Sequence, residues 1–251
     1  AVDIPWSRLA DSGHSRELEA AVAQLCTTLA EISLVSLEMP TRWVFWINQE
    51  FLELKSFLCA QMLDEARHVE AFRKRALAGG EGLKRASVPV EQALKEILCV
   101  EPYPAASAAM NLMLGSVLAT LCRFGAALSP TAVENAMFLH VLQDKSRHVA
   151  YGMGQVRYHL THQPRQREFL AETLDRLEHC LAGILGSPEL AGALTVYAGG
   201  GVSPAEIAVG RARVARLLDL AVSEYLERRK RLGIESPGSR LRATVQGVVA
   251  A

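Results

Sequence analysis

Apolar residues recur three and four positions apart along most of this chain and nowhere alternate strictly, so the pattern predicts helices and no strands. Residues 1–13 read as irregular. Ser15, with Glu17 and Glu19 behind it, marks a helix start. The stripe Ala21, Leu25, Thr28, Leu29, Ile32 and Val35 follows, with Glu31 beside it, and the helix is expected to stop at Met39-Pro40, since proline has no N–H to continue the ladder. Thr41 is placed to cap a second long helix over 44–77, to which Trp43, Phe45, Trp46, Phe51, Phe57 and Phe72 bring bulk. After a glycine-rich loop at 78–82 come a short helix over 90–100 and a break at Glu101-Pro102-Tyr103-Pro104. A helix of small and aliphatic residues over 105–128 follows. Ser129-Pro130 reads as N-cap and N1 proline of the next long helix, which fades by His162. An amphipathic helix over 166–185, a turn at Gly199-Gly200-Gly201, a last helix from Ser203-Pro204 to about 232 and a loosely held tail after Gly233 complete the chain. The fold class is all-α, one domain over 1–251, with core helices at about 15–162 and C-terminal helices at about 165–233.

Two of these helices carry related motifs, Asp64-Glu65-Ala66-Arg67-His68 and Asp144-Lys145-Ser146-Arg147-His148. Glu65 and His68, three apart, share one helix face. Two helices each offering Glu-x-x-His inward, with one further carboxylate from each of two partners, is the di-iron or di-manganese arrangement of helical bundles. Here the second copy has lysine in place of the glutamate. Glu65 follows Glu31 by 34 residues, and 34 residues before Lys145 stands Asn111, with Ser107 and Ser116 as nearby alternatives. No Asp or Glu occurs between Pro104 and Pro130, so that segment supplies no carboxylate. The candidate ligands are Glu31, Glu65, His68 and His148, with Lys145 and Asn111 at the altered positions. A metal-bound imidazole usually donates its other N–H to a carboxylate; Asp64 is expected to hold His148 and Asp144 to hold His68, with Arg67 and Arg147 neutralising the aspartates.

Composition narrows the partners. Of 251 residues 50% are hydrophobic and the formal charges balance, which argues against nucleic acid or an acidic membrane surface. The basic cluster Arg228-Arg229-Lys230-Arg231 suits a solvated helix C-terminus. Five scattered cysteines without a C-x-x-C spacing suggest reduced thiols in a cytoplasmic protein rather than a disulfide frame or a zinc site. No signal peptide is read, and the apolar run 105–121 is judged too short and too polar to cross a bilayer.

The two motifs, with their flanks Gln61-Met62-Leu63 and Val149-Ala150-Tyr151-Gly152, resemble the paired motifs of the ferritin-like di-iron carboxylate superfamily. The similarity is closest to hydroxylase components of bacterial multicomponent monooxygenases and to arylamine N-oxygenases, and covers about residues 18–160. The resemblance implies a ferritin-like four-helix bundle with added C-terminal helices. In that family two irons activate O2; Glu31, Glu65, His68 and His148 match ligand positions, while Lys145 and Asn111 do not. It implies an oxidoreductase acting on a small organic substrate, with iron or manganese at no more than one per chain or none, and with electrons, if needed, from a donor protein. A homodimer is compatible with it. Lys145 leaves three outcomes open: one metal on Glu31, Glu65 and His68; no metal, with the ammonium in the cation's place, as in a metal-free branch of reductase small subunits; or a working lysine acting as base or nucleophile. The non-oxidative alternatives are a metal-free binding or partner subunit and a lysine-dependent enzyme.

Overall fold

The computed structural model describes residues 3–11, 13–235 and 241–242, and these form an all-helical fold without strands. A 3-10 turn (Trp6–Asp11) leads into α1 (Arg16–Val44), α2 (Leu52–Ala78) and α3 (Val88–Leu98). A continuous rod follows, α4 (Tyr103–Ser107), a π-helical segment (Ala108–Leu114) and α5 (Gly115–Leu128). Then come α6 (Ala132–His162), α7 (Arg167–Leu185), α8 (Pro188–Gly199) and α9 (Pro204–Arg231). Side-chain caps start several of them: Ser15 accepts from the Leu18 N–H, Thr131 from Glu134, and Ser203 with Glu206 closes a capping box.

The long helices pack as two pairs, α1 along α2 and the π segment with α5 along α6, and α2 meets α6 between the pairs. The C-terminal helices close around them: α7 on α3 and the π segment, α8 on α1, and α9 on α5 and α8. Buried apolar side chains from Leu18 to Leu241 make one hydrophobic cluster.

Several boundaries differ from those expected. Helix α1 does not stop at Met39-Pro40 but runs through Pro40 to Val44. Both residues are buried, and Arg42 Nη2 reaches Glu101 Oε1 at 2.8 Å while Trp43 packs edge-on against Tyr103. Tertiary packing here outweighs one lost ladder bond. In consequence α2 begins at Leu52, and Thr41 caps nothing: its hydroxyl donates back to the Glu38 carbonyl at 2.6 Å. Phe45 and Trp46 lie in the connecting loop, 78% and 77% exposed, rather than along α2. The cap of α6 is Thr131, with Pro130 outside the helix, and α8 is an element the sequence pattern did not show. The tail lies largely outside the described residues.

Two helices, Arg16–Val44 and the rod Tyr103–Leu128, are long and apolar enough to cross a membrane by length and composition. The expectation that the apolar run 105–121 is too short and too polar to cross a bilayer is thus corrected: within the full helix it meets both length and composition. What distinguishes it is burial: the whole apolar window of the rod faces protein. The π segment meets α6 at Gly152, where an added Cβ would lie 2.8 Å from Asn111 Cβ and 3.1 Å from the Leu112 nitrogen. Gly152→Ala is therefore expected to push the rod off α6 and destabilise the fold by about 1–3 kcal/mol despite alanine's better helix propensity. A urea melt checks this, and an unchanged midpoint would mean the two backbones are not so close.

Candidate functional site

Helices α2 and α6 present their buried stripes to each other, and the two motifs meet there. Lys145 Nζ donates to Glu65 Oε1 at 2.6 Å; the lysine is 3% exposed and the glutamate 0%, so both charges are out of water. His68 Nδ1 lies 3.1 Å from Glu65 Oε2, and His148 Nδ1 lies 3.1 Å from Glu65 Oε1. The second contact is off line for a hydrogen bond, so His148 Nδ1 is buried without an aligned partner.

The outer ring nitrogens cross between the helices. His68 Nε2 is 3.0 Å from Asp144 Oδ2, and His148 Nε2 is 3.2 Å from Asp64 Oδ2. This is the pairing expected from the duplicated motif. Arg67 binds Asp64 and reaches Asp144 at 3.5 Å; Arg147 binds Asp144 and reaches Asp64 at 3.2 Å. Both guanidinium groups are half exposed, so they close the aqueous side of the network and contribute modestly to stability.

Burial alone would raise the Glu65 carboxyl, but the Lys145 ammonium and the two imidazoles outweigh it and hold it well below the carboxylate range. Asp144 is lowered against burial by His68 and Arg147. His68 faces a carboxylate at each nitrogen, and a neutral imidazole has only one N–H to donate. Burial disfavours its charge, yet the bonds to Asp144 and Glu65 prevail and its pKa is raised.

These directions set a pH dependence. Depressed carboxyls stabilise the fold above their ordinary values, 4.5 for Glu65 and 3.8 for Asp144, and that contribution is lost as pH falls through the lower folded values. The raised His68 stabilises it fully below 6.5 and loses that contribution as pH rises through its folded value. The urea midpoint is expected to fall on both sides, and His68→Asn to flatten the alkaline limb. An alkaline limb unchanged in that variant would contradict a charged His68.

Two expected members stand apart. Glu31 is only part-buried, and among the described residues no hydrogen bond or ion pair joins it to Lys145, Glu65 or His68. It flanks the α1 stripe, where the sequence pattern placed it, and does not join the Glu65–Lys145 group. Asn111, in the π segment, is buried but pairs with Gln61, receiving a hydrogen bond at 2.9 Å one turn before Glu65. Among the described residues no hydrogen bond joins it to Lys145.

The donor set does not fit a di-iron or di-manganese centre. Lys145 and His68 already engage the two Glu65 oxygens, Glu31 does not converge, and the rod offers an amide instead of a carboxylate. The three carboxylates Glu65, Asp64 and Asp144 are matched by Lys145, Arg67 and Arg147, so an entering cation meets no surplus negative charge.

One aromatic layer away lies a cavity of about 730 Å³, lined by Ile47, Phe51, Leu54, Phe57, Tyr151 and Tyr158 among others. The Phe57 ring stacks on Tyr151 at 3.6 Å and stands edge-on to His148 at 6.1 Å, separating the cavity from the charged centre. The Tyr103 and Tyr151 hydroxyls share a 2.5 Å hydrogen bond at its wall. Tyr151 lies in the flank of the second motif, three residues after His148, whereas the loop contribution, Ile47 to Phe51, was hidden by the misplaced start of α2.

Sequence reasoning also missed a second buried charge cluster. Arg75 donates to Glu134 at 2.6 Å and to both Glu19 oxygens at 2.9 and 3.0 Å. Its signal was available: Arg75 continues the stripe Glu65, His68, Phe72 at helical spacing. No family model, curated protein or solved structure matches the chain.

Proposed function

We propose that this protein is a metal-free relative of the ferritin-like di-iron carboxylate bundles, in which the Lys145 ammonium stands where a relative holds a cation, and that it binds a small aromatic or otherwise apolar organic molecule beside that centre. The observation that carries the reading is the 2.6 Å Lys145–Glu65 contact between two buried groups. The cavity supports the binding half: it is of ligand size, its wall is mainly apolar with Phe51, Phe57 and three tyrosines in it, and Tyr103 and Tyr151 offer hydroxyls for orientation. A di-iron oxygenase would need metals that these side chains do not gather, so the metal-free binding role is the better supported one. The reading includes a cytoplasmic location, which suits five unpaired cysteines.

Iron and manganese analysis of protein from supplemented medium is expected to find neither in stoichiometric amount. Two irons per chain, as a di-iron site requires, or one that disappears in His68→Asn, would overturn the metal-free assignment. Binding is tested separately by titration with indole or a naphthalene derivative, read by fluorescence. Gly154 lines the cavity and an added Cβ there meets nothing within 4 Å, so Gly154→Leu projects a bulky side chain into it without a backbone clash. Wild type is expected to bind and this variant to lose binding while keeping its thermal midpoint. Equal binding by both would place the ligand elsewhere.

A further inference from the structure

Far from the α2–α6 centre in the sequence, α3 meets α7 in a small triangle of donor atoms. Glu96 Oε2 lies 3.3 Å from His179 Nε2 and 3.3 Å from Cys180 Sγ, and Cys180 Sγ lies 3.4 Å from His179 Nε2. Among the described residues this is the group of three or more His, Cys, Asp or Glu side chains whose donor atoms all fall within 4.8 Å of one another. A tetrahedral ion about 2.0–2.3 Å from nitrogen, oxygen and sulfur spaces neighbouring donors by roughly 3.3–3.7 Å. The three sides of the triangle lie at the short end of that range.

The histidine is set up independently of the other two. Its Nδ1 is held by the Arg176 carbonyl one turn earlier, which places the N–H there and turns the Nε2 lone pair into the triangle. Cys180 is buried, while the side chains of His179 and Glu96 are 63% and 55% exposed. The triangle therefore has a dry floor of sulfur and a wet outer face. The Cys180 S–H donates to Glu96 Oε2, so the proton between sulfur and carboxylate is the one a metal ion would replace.

We propose that Glu96, His179 and Cys180 bind one divalent transition-metal ion of the zinc type, with a fourth position open to solvent. Mixed sulfur, nitrogen and oxygen donors in tetrahedral array suit that ion rather than magnesium or calcium. Binding forms three bonds to the metal and breaks one S–H bond, whose proton leaves to solvent; nothing is oxidised or reduced. The ion ties α3 to α7, and its open position can hold water or a small anionic ligand. The site is independent of the metal-free centre: it shares no residue with Glu65, His68 or His148.

The test uses the full chain after chelator treatment, in a Cys59→Ser/Cys99→Ser background that removes the exposed thiols. Cobalt(II) is titrated in and read by absorption, and zinc is competed against a chromogenic chelator. One equivalent is expected, with a thiolate-to-cobalt charge-transfer band and visible bands of tetrahedral strength. Glu96→Gln and His179→Gln change exposed side chains and are expected to leave the fold intact. Each should weaken binding by at least about tenfold, the least that even an outer-shell partner costs; Cys180→Ser should abolish the charge-transfer band. Absence of saturable binding, a cobalt spectrum without that band, or undiminished binding in the Glu96→Gln/His179→Gln double variant would each overturn the assignment.

Discussion

Lys145→Met is expected to lower the unfolding free energy by about 3–5 kcal/mol, the cost of removing one partner from a buried ion pair. The side chain lost is 3% exposed and the carboxylate left behind is 0% exposed, so water does not replace the ammonium. Glu65 would retain the imidazoles at 3.1 Å, but His68 is already shared with Asp144 and His148 is off line. Desolvation would then be opposed only by the imidazoles, and the carboxyl pKa would rise toward protonation. The double variant Lys145→Met/Glu65→Gln removes both charges at similar volume and is expected to recover most of the loss, since a neutral replacement of a buried pair is often tolerated. The coupling in that cycle should fall near the top of the ~0.5–3 kcal/mol found within one network. Urea denaturation at neutral pH reads all four corners. A single-variant cost under about 1 kcal/mol, the size of an exposed pair, would mean that Lys145 does not sit buried against Glu65.

Much of that centre was legible because it lies within two uninterrupted helices. Asp64, Glu65 and His68 keep their relative positions whatever the loops do, and so do Asp144, Lys145 and His148; a duplicated motif then needs only the two helices to meet. Glu31 and Asn111 required more. The Arg75–Glu19 contact fixes how α1 lies along α2, and at equal rise per residue it brings Glu31 about level with Glu65. Depth along the helix was therefore approximately right. The rotation was legible too, since Glu31 stands beside the stripe of Leu25, Thr28, Leu29 and Ile32; the 34-residue spacing carries depth but does not turn the side chain inward. Asn111 sits in a π-helical segment, whose extra residue per turn shifts the facing side chain from that of a regular α-helix. Pro40 illustrates a different limit: the local rule is sound, but packing of Met39, Pro40 and Trp43 carries the helix onward. The meeting of Glu96 with His179 and Cys180 joins residues over eighty positions apart without any shared motif, and nothing in one sequence signals it.

Arg75→Met is expected to cost about as much as Lys145→Met, on the order of 3–5 kcal/mol, for a different reason. Arg75 is fully buried and its guanidinium makes three bonds to two partners: Nε to Glu134 at 2.6 Å on α6, and both Nη atoms to Glu19 at 2.9 and 3.0 Å on α1. His14, before α1, adds a 2.7 Å contact to Glu19. Deleting the arginine thus leaves a 0%-exposed Glu134, whose other oxygen already lacks a partner, and loosens three helices together. Methionine fills the arginine's stem, so the loss reports charge more than a cavity. Glu134→Gln added to Arg75→Met is expected to return a substantial part of the stability, because an amide can be buried at lower cost than a carboxylate. The cycle with Lys145→Met separates the two clusters. They lie ten residues apart along α2 and eleven along α6, roughly 15 Å at the helical rise, so their effects should add to within about 0.5 kcal/mol. Strong non-additivity would instead mean that the buried charges on the α2 and α6 stripes act as one network, and that the centre around Lys145 depends on Arg75 for its geometry.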